Sequence, residues 1–218
     1  MLGVFLTQTG CVSSGGTRVS QSRSPAGGQK AAHAAKPVLQ TDLVRKTRAK
    51  APKQAQLEFA SGVKAMEQGN TAMARQVFTR LTKQHPKLSG PYVNLGIMAL
   101  NAGELDQALK LLTKAAELNP RNAITQNYLG IVYRKQGKFD QAIAAYRKAI
   151  QIAPNYPDAY LNLGILHDLY LQKTREAIEF YRKYQSLLPE EDKQVAVWIA
   201  DLQQRNNGQG TQSKEVTQ

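Results

Sequence analysis

Four glycines, Gly62, Gly96, Gly130 and Gly164, stand 34 residues apart in a chain of 218 residues. Ala74, Ala108 and Ala142 keep the same interval and Ala177 follows after 35, while Pro86, Pro120, Pro154 and Pro189 repeat the 34, 34, 35 progression. Three residue types held in one phase mark a tandem array of one supersecondary unit. Such units stack side by side, each burying its apolar face on its neighbours.

The copy that starts at Ala123 shows what the unit is. Leu129, Ile131, Val132 and Tyr133 fall in one helical stretch, and Ala142, Ile143, Tyr146, Ala149 and Ile150 recur at helical spacing in a second, with Gly137 as the turn between them. Gly130 and Ala142 then share an explanation, because very small side chains let two antiparallel helices approach closely. Pro154 ends the second helix by lacking an amide donor.

With that phase, the residues resemble the tetratricopeptide repeat family. Its pattern of a large residue, Leu-Gly, a small residue, an aromatic and a closing Pro is carried by Tyr160, Leu163, Gly164, Ala177, Tyr181 and Pro189. Tyr92, Leu95, Gly96, Ala108, Leu112, Ala115 and Pro120 carry it in the second copy. The resemblance implies an all-α fold, an α-solenoid of four helix hairpins at 55–88, 89–122, 123–156 and 157–191. Two copies depart from the pattern. The first has Glu58 and Ser61 where an aromatic and a leucine are usual, which predicts a partly exposed first helix; the fourth has one extra residue in DLYLQKTRE and no turn glycine, which predicts a longer turn. Beyond Pro189, the acids Glu190, Glu191 and Asp192 suit a helix start. Val195, Trp198, Ile199 and Leu202 then fall on one face of a capping helix over 191–205, with Trp198 as a packing residue.

Charge is divided unevenly between the array and what precedes it. Residues 1–54 hold nine Lys or Arg against one acid, and residues 55–205 hold nineteen against fourteen, out of a formal net charge of +13. The basicity belongs to the N-terminal arm. Residues 12–54 are rich in Ser, Gly, Gln and Ala without apolar period, so they read as a disordered basic tether with a reach of about 35 Å. A short helix from Thr41 to Lys50 fits within it, capped by Thr41 or Asp42. Residues 206–218 read as a disordered polar tail. The repeats show no concentrated basic face with stacking aromatics, so nucleic acid is not the expected partner of the folded part.

No phosphate-binding loop, dinucleotide fingerprint, His-Glu-x-x-His pair or nucleophile elbow occurs. His33, His85 and His167 are scattered, and Cys11 is the single cysteine, so no metal site or cofactor is expected. Asp158 and Asp168 share a helix face, but ten residues separate them by about 15 Å, too far to act on one bond. These features argue against an enzyme.

What the resemblance implies instead is a concave groove lined by the first helix of each unit, taking a protein or peptide partner. Its positions are Phe59, Val63 and Met66 in the first repeat and Val93, Asn94, Ile97 and Asn101 in the second. The third supplies Asn127, Tyr128, Ile131, Arg134 and Lys135, and the fourth Leu161, Asn162, Ile165 and Asp168. Asn94 and Asn162 share a phase and offer both donor and acceptor to peptide amides, or else are solvated polar positions; Tyr128 interrupts that ladder. The set of Lys, Asn and Arg by which some family members grip chaperone tails is not reproduced. Homo-oligomerisation through a repeat face stays open.

The start, MLGVFLTQTGCVSSGG, resembles the end of a bacterial lipoprotein signal over residues 1–11, with Cys11 as the lipidation site after Gly10. There is no basic leading region, MLGVFL is short for an apolar core, and Gln8 stands where Leu is preferred; a start upstream of Met1 would account for the first two. With Val12 and Ser13 following, the resemblance implies an outer-membrane anchor facing the periplasm. The leading expectation is therefore a lipid-anchored adaptor that assembles a pilus, secretion or transport complex of the envelope, comparable to pilotin lipoproteins. The alternative is a cytoplasmic interaction module whose basic arm contacts nucleic acid or anionic lipid.

Overall fold

A computed structural model describes the backbone of residues 51–215 and the side chains up to 206. The expectations for Cys11, the Thr41 to Lys50 helix and the tether up to residue 50 lie outside these residues; Lys53 and Gln54, expected as the end of the tether, are instead the first residues of a helix. Regular structure in the described part is helical throughout, and it pairs as the 34-residue phase predicts. The first hairpin is α1 (Lys53–Glu67) with α2 (Thr71–Gln84), and the second is α3 (Ser89–Asn101) with α4 (Leu105–Leu118). The third is α5 (Ala123–Lys135) with α6 (Phe139–Ile152). The fourth joins α7 (Pro157–Ile165), continued by a π-helical turn Leu166–Tyr170, to α8 (Thr174–Ser186). The final helix, α9 (Lys193–Glu215), packs on α8.

The phased residues explain why each hairpin closes. A Cβ placed on Gly62, Gly96, Gly130 or Gly164 would lie 2.8 Å from Phe78, 2.7 Å from Leu112, 2.4 Å from Tyr146 or 2.4 Å from Tyr181, respectively. Each glycine thus admits the large side chain of its partner helix, and Phe78, Leu112, Tyr146 and Tyr181 are completely buried. Ala74, Ala108, Ala142 and Ala177 are equally buried on the second helix of each pair. His85, Asn119 and Ala153 leave the helical region (φ −132, −141 and −139°) because each precedes a proline, whose ring disfavours helical backbone in the residue before it.

Three turns share one hydrogen-bonded closure. Gly69, Gly103 and Gly137 take φ of 72, 79 and 74°, and the next residue donates its N–H five positions back, Asn70 to Ala65 at 2.8 Å, Glu104 to Ala99 at 2.9 Å and Lys138 to Tyr133 at 2.9 Å. The fourth turn corrects the expectation of a longer connection. Three residues still link the helices; the extra residue is absorbed in the π turn, where Leu171 N–H donates to Leu166 O at 3.1 Å. Lys173 N–H then reaches six positions back to His167 O at 2.8 Å, and Gln172 occupies the glycine's place at φ 54°. A side chain in this left-handed region is strained, so Gln172→Gly should raise the thermal midpoint by about 1–3 °C, read by circular dichroism. Unchanged or lower stability would contradict the strain.

The first repeat is open as its sequence departures predict. Ser61 is exposed, and Glu58 is half-buried where it meets Arg80 of α2 at 3.1 Å. At the other end, Asp192 caps α9, its Oδ1 accepting from Gln194 N at 3.0 Å and Val195 N at 3.3 Å. Val195, Trp198 and Leu202 are buried against Leu161, Ile165, Ile178, Tyr181 and Tyr184, with Ile199 half-buried beside them. The helix continues ten residues past Arg205, the expected end of the cap, to Glu215, so that residues 206–215, expected as part of a disordered tail, are helical.

Candidate partner-binding face

The first helices of the four hairpins, α1, α3, α5 and α7, stand in a row, and the residues expected to face a partner lie along it. Phe59, Val63 and Met66 on α1 are half-buried, Asn101 and Lys135 at the ends of α3 and α5 are exposed, and Asp168 in the π turn is intermediate. The other ten are buried. Val93, Ile97, Tyr128 and Ile131 belong to the core that joins repeats two to four, and Leu161 and Ile165 to the core beneath α9. Their alternation along the sequence distinguishes two sides of a helix, whereas α5 is enclosed along nearly its whole length, from Ala123 to Val132.

The asparagines are occupied within the fold. Asn94 Nδ2 donates to Gly90 O at 3.1 Å, and Asn162 Nδ2 donates to Asp158 O at 2.9 Å and to Asn127 Oδ1 at 3.0 Å. Asn127 Nδ2 in turn donates to the Tyr156 hydroxyl at 3.3 Å, and Tyr156 donates to Asp158 Oδ2 at 3.2 Å. This chain of four side chains ties repeat three to repeat four. Burial, followed by the adjacent Asp158 charge, pushes the Tyr156 hydroxyl well above its ordinary range, so it stays a donor at neutral pH. Asp158 and Asp168 serve different partners, as Asp168 accepts from Tyr181 at 3.2 Å and faces Arg205 at 3.7 Å.

One distribution was not visible in the sequence. Among the described residues, the buried side-chain atoms with no hydrogen-bond partner are Thr125 Oγ1, Arg134 Nε and Nη1, Gln136 Oε1, Tyr146 OH, Asn162 Oδ1, and both ring nitrogens of His167. All belong to repeats three and four. Folded proteins keep few such groups, because each forfeits its hydration without compensation. Periodicity cannot reveal them, since an unmet donor depends on what lies opposite in space.

His167 illustrates the cost. It is 6% exposed, its ring centroid lies 5.1 Å from that of Phe180, and burial, which outweighs the nearby Glu176, lowers its pKa below 6.5. The unfolded chain therefore binds the proton more readily. Stability should be level above about pH 6.5 and fall as the pH drops from there toward the folded-state pKa. Thermal midpoints of the wild type and His167→Phe across that range test this. The variant should lose the acid-side decline attributable to His167, and parallel curves would refute the assignment.

Family models match across the array, three of the matched stretches coinciding with hairpins one, two and four and two straddling the boundaries of hairpin three. Models described as tetratricopeptide repeat match residues 59–87, 90–122, 111–144 and 158–190, and a further TPR repeat model matches 130–169, together more than half of the chain. The chain belongs to the tetratricopeptide repeat family. No curated protein matches it in sequence. Among solved tetratricopeptide-like structures, MamA is 25% identical with a TM-score of 0.54, over 66% of this chain and 83% of that one. The Thermus thermophilus repeat protein TTC0263 is 23% identical with a TM-score of 0.60, over 73% and 87%. Pseudomonas aeruginosa PilF is 22% identical with a TM-score of 0.64, over 71% and 69%. The last two likenesses concern the fold. Tetratricopeptide repeats serve as protein-interaction scaffolds, and the described residues form four of them, with α9 packed on the fourth.

Proposed function

We propose that this chain is a lipid-anchored adaptor that holds a segment of a partner protein along its α1, α3, α5 and α7 row, in a bacterial envelope complex. The observation that carries the binding face is that the buried donors and acceptors without a partner among the described residues all fall in repeats three and four, while Asn101 and Lys135 on the same row of helices are exposed. A partner's backbone or side chains would satisfy groups the fold leaves bare. The anchor rests on Thr9, Gly10 and Cys11 ahead of a Ser/Gly-rich stretch.

Two measurements separate the two halves of this reading. Mass spectrometry of the N-terminal peptide from fractionated host cells should find a lipid-modified peptide beginning at Cys11 in the membrane fraction. An unmodified N-terminus in the cytosol removes the anchor and favours the alternative in which the basic arm, nine Lys or Arg against one acid, contacts nucleic acid or anionic lipid. A photo-crosslinking residue at Asn101 or Lys135 should capture the same partner that a residue at Lys148, exposed on α6, does not. Capture from Lys148 alone would move the binding face.

A further inference from the structure

Arg134 is a buried cation that forms no ion pair among the described residues. It lies in the last turn of α5, is 3% exposed, and finds no acceptor for Nε or Nη1. The Tyr170 ring, itself 39% exposed, covers its guanidinium with the centroid 5.8 Å from Cζ. The Tyr146 hydroxyl is completely buried and also without a partner, and Arg134 is close enough for its charge to favour ionisation of the Tyr146 and Tyr181 hydroxyls, against the larger effect of burial. Asp168 holds the equivalent position one repeat on, where it accepts from Tyr181 and faces Arg205.

A guanidinium offers five N–H donors and no acceptor, so only acceptor oxygens can satisfy it. It needs a negative oxygen brought from outside. The array itself holds nineteen Lys or Arg against fourteen acids over residues 55–205, and this positive excess, added to that of the arm, favours an acidic partner. We propose that Arg134 receives the side-chain carboxylate of an Asp or Glu in an acidic partner segment, with the Tyr146 hydroxyl as a second donor and Tyr170 as the displaceable cover. This deepens, and rests on, the reading of the α1, α3, α5, α7 row as the partner face.

The test uses the full chain and an end-capped, fluorescein-labelled dodecapeptide of alternating Glu and Ala, with its Gln counterpart and an oligothymidylate for comparison. Anisotropy should show the Glu peptide binding about tenfold or more tightly than the Gln peptide. Arg134→Met should erase that difference, while Lys148→Met, which removes the same charge from exposed α6, should preserve it. Arg134→Met should also melt no lower than the wild type, since methionine fills the space without an unpaired charge. A markedly lower midpoint would show that the guanidinium is structurally satisfied and overturn the proposal. It is equally overturned by failure of the Glu peptide to bind, by Arg134-dependent binding of the oligothymidylate in its place, or by a loss no greater than that in Lys148→Met. Equal binding of both peptides that survives Arg134→Met would remove the carboxylate site and leave the partner face standing.

Discussion

Replacing Trp198 with alanine should cost about 3–5 kcal/mol and concentrate the loss at the C-terminal end of the array. The indole is 4% exposed, its ring centroid lies 5.7 Å from that of Tyr181, and Leu161, Ile165 and Ile178 share its core cluster. Removing it opens a cavity between α9 and the fourth hairpin. Stability in a stacked array is close to a sum of units and nearest-neighbour interfaces. Native-state hydrogen exchange should therefore show α7, α8 and α9 losing protection while α1 and α2 keep theirs. A uniform loss across all four repeats would mean that the array unfolds as one block.

A single methyl group at Gly130 should be nearly as damaging. The added Cβ would lie 2.4 Å from Cε1 and 2.5 Å from Cδ1 of Tyr146, a ring with no exposed surface through which to retreat. Overpacking of about 3 kcal/mol, set against a gain of about 1 kcal/mol from alanine's better helix propensity, leaves Gly130→Ala about 2 kcal/mol less stable than the wild type. Tyr146→Ala is the control that decides the cause. In that background Gly130→Ala should be neutral or stabilising, because the steric conflict has gone; an unchanged penalty would place its origin elsewhere. Denaturant midpoints with unchanged slopes give both numbers.

Much of the fold was legible because it depends on side-chain size at fixed intervals. Gly130 and Tyr146 are sixteen residues apart and in contact, and the same pairing recurs at Gly164 and Tyr181 with one residue more. The cap was readable for a similar reason, since Val195, Trp198 and Leu202 describe one apolar face behind an acidic start. The partner face was only partly legible. Asn127 and Asn162 look like surface amides in the sequence, yet their partners come from 29 and 35 positions away, and no local pattern announces such a pairing. Arg134 resembles an ordinary exposed cation at a helix end until Tyr170 is seen over it.

The place of the extra residue is a matter of three-dimensional bookkeeping that the sequence states but does not resolve. Carried through a continuous helix, one insertion would turn every later side chain by about 100° and aim Tyr181 away from Gly164. The π turn at Leu166–Tyr170 discharges that rotation within five residues, so α8 begins in step with the helices before it. An added residue is thus accommodated in the last turn of a first helix, next to the crest of the hairpin, with the connection itself unchanged. An array built this way can gain or lose residues at its crests over evolutionary time while every unit downstream remains interchangeable with those upstream.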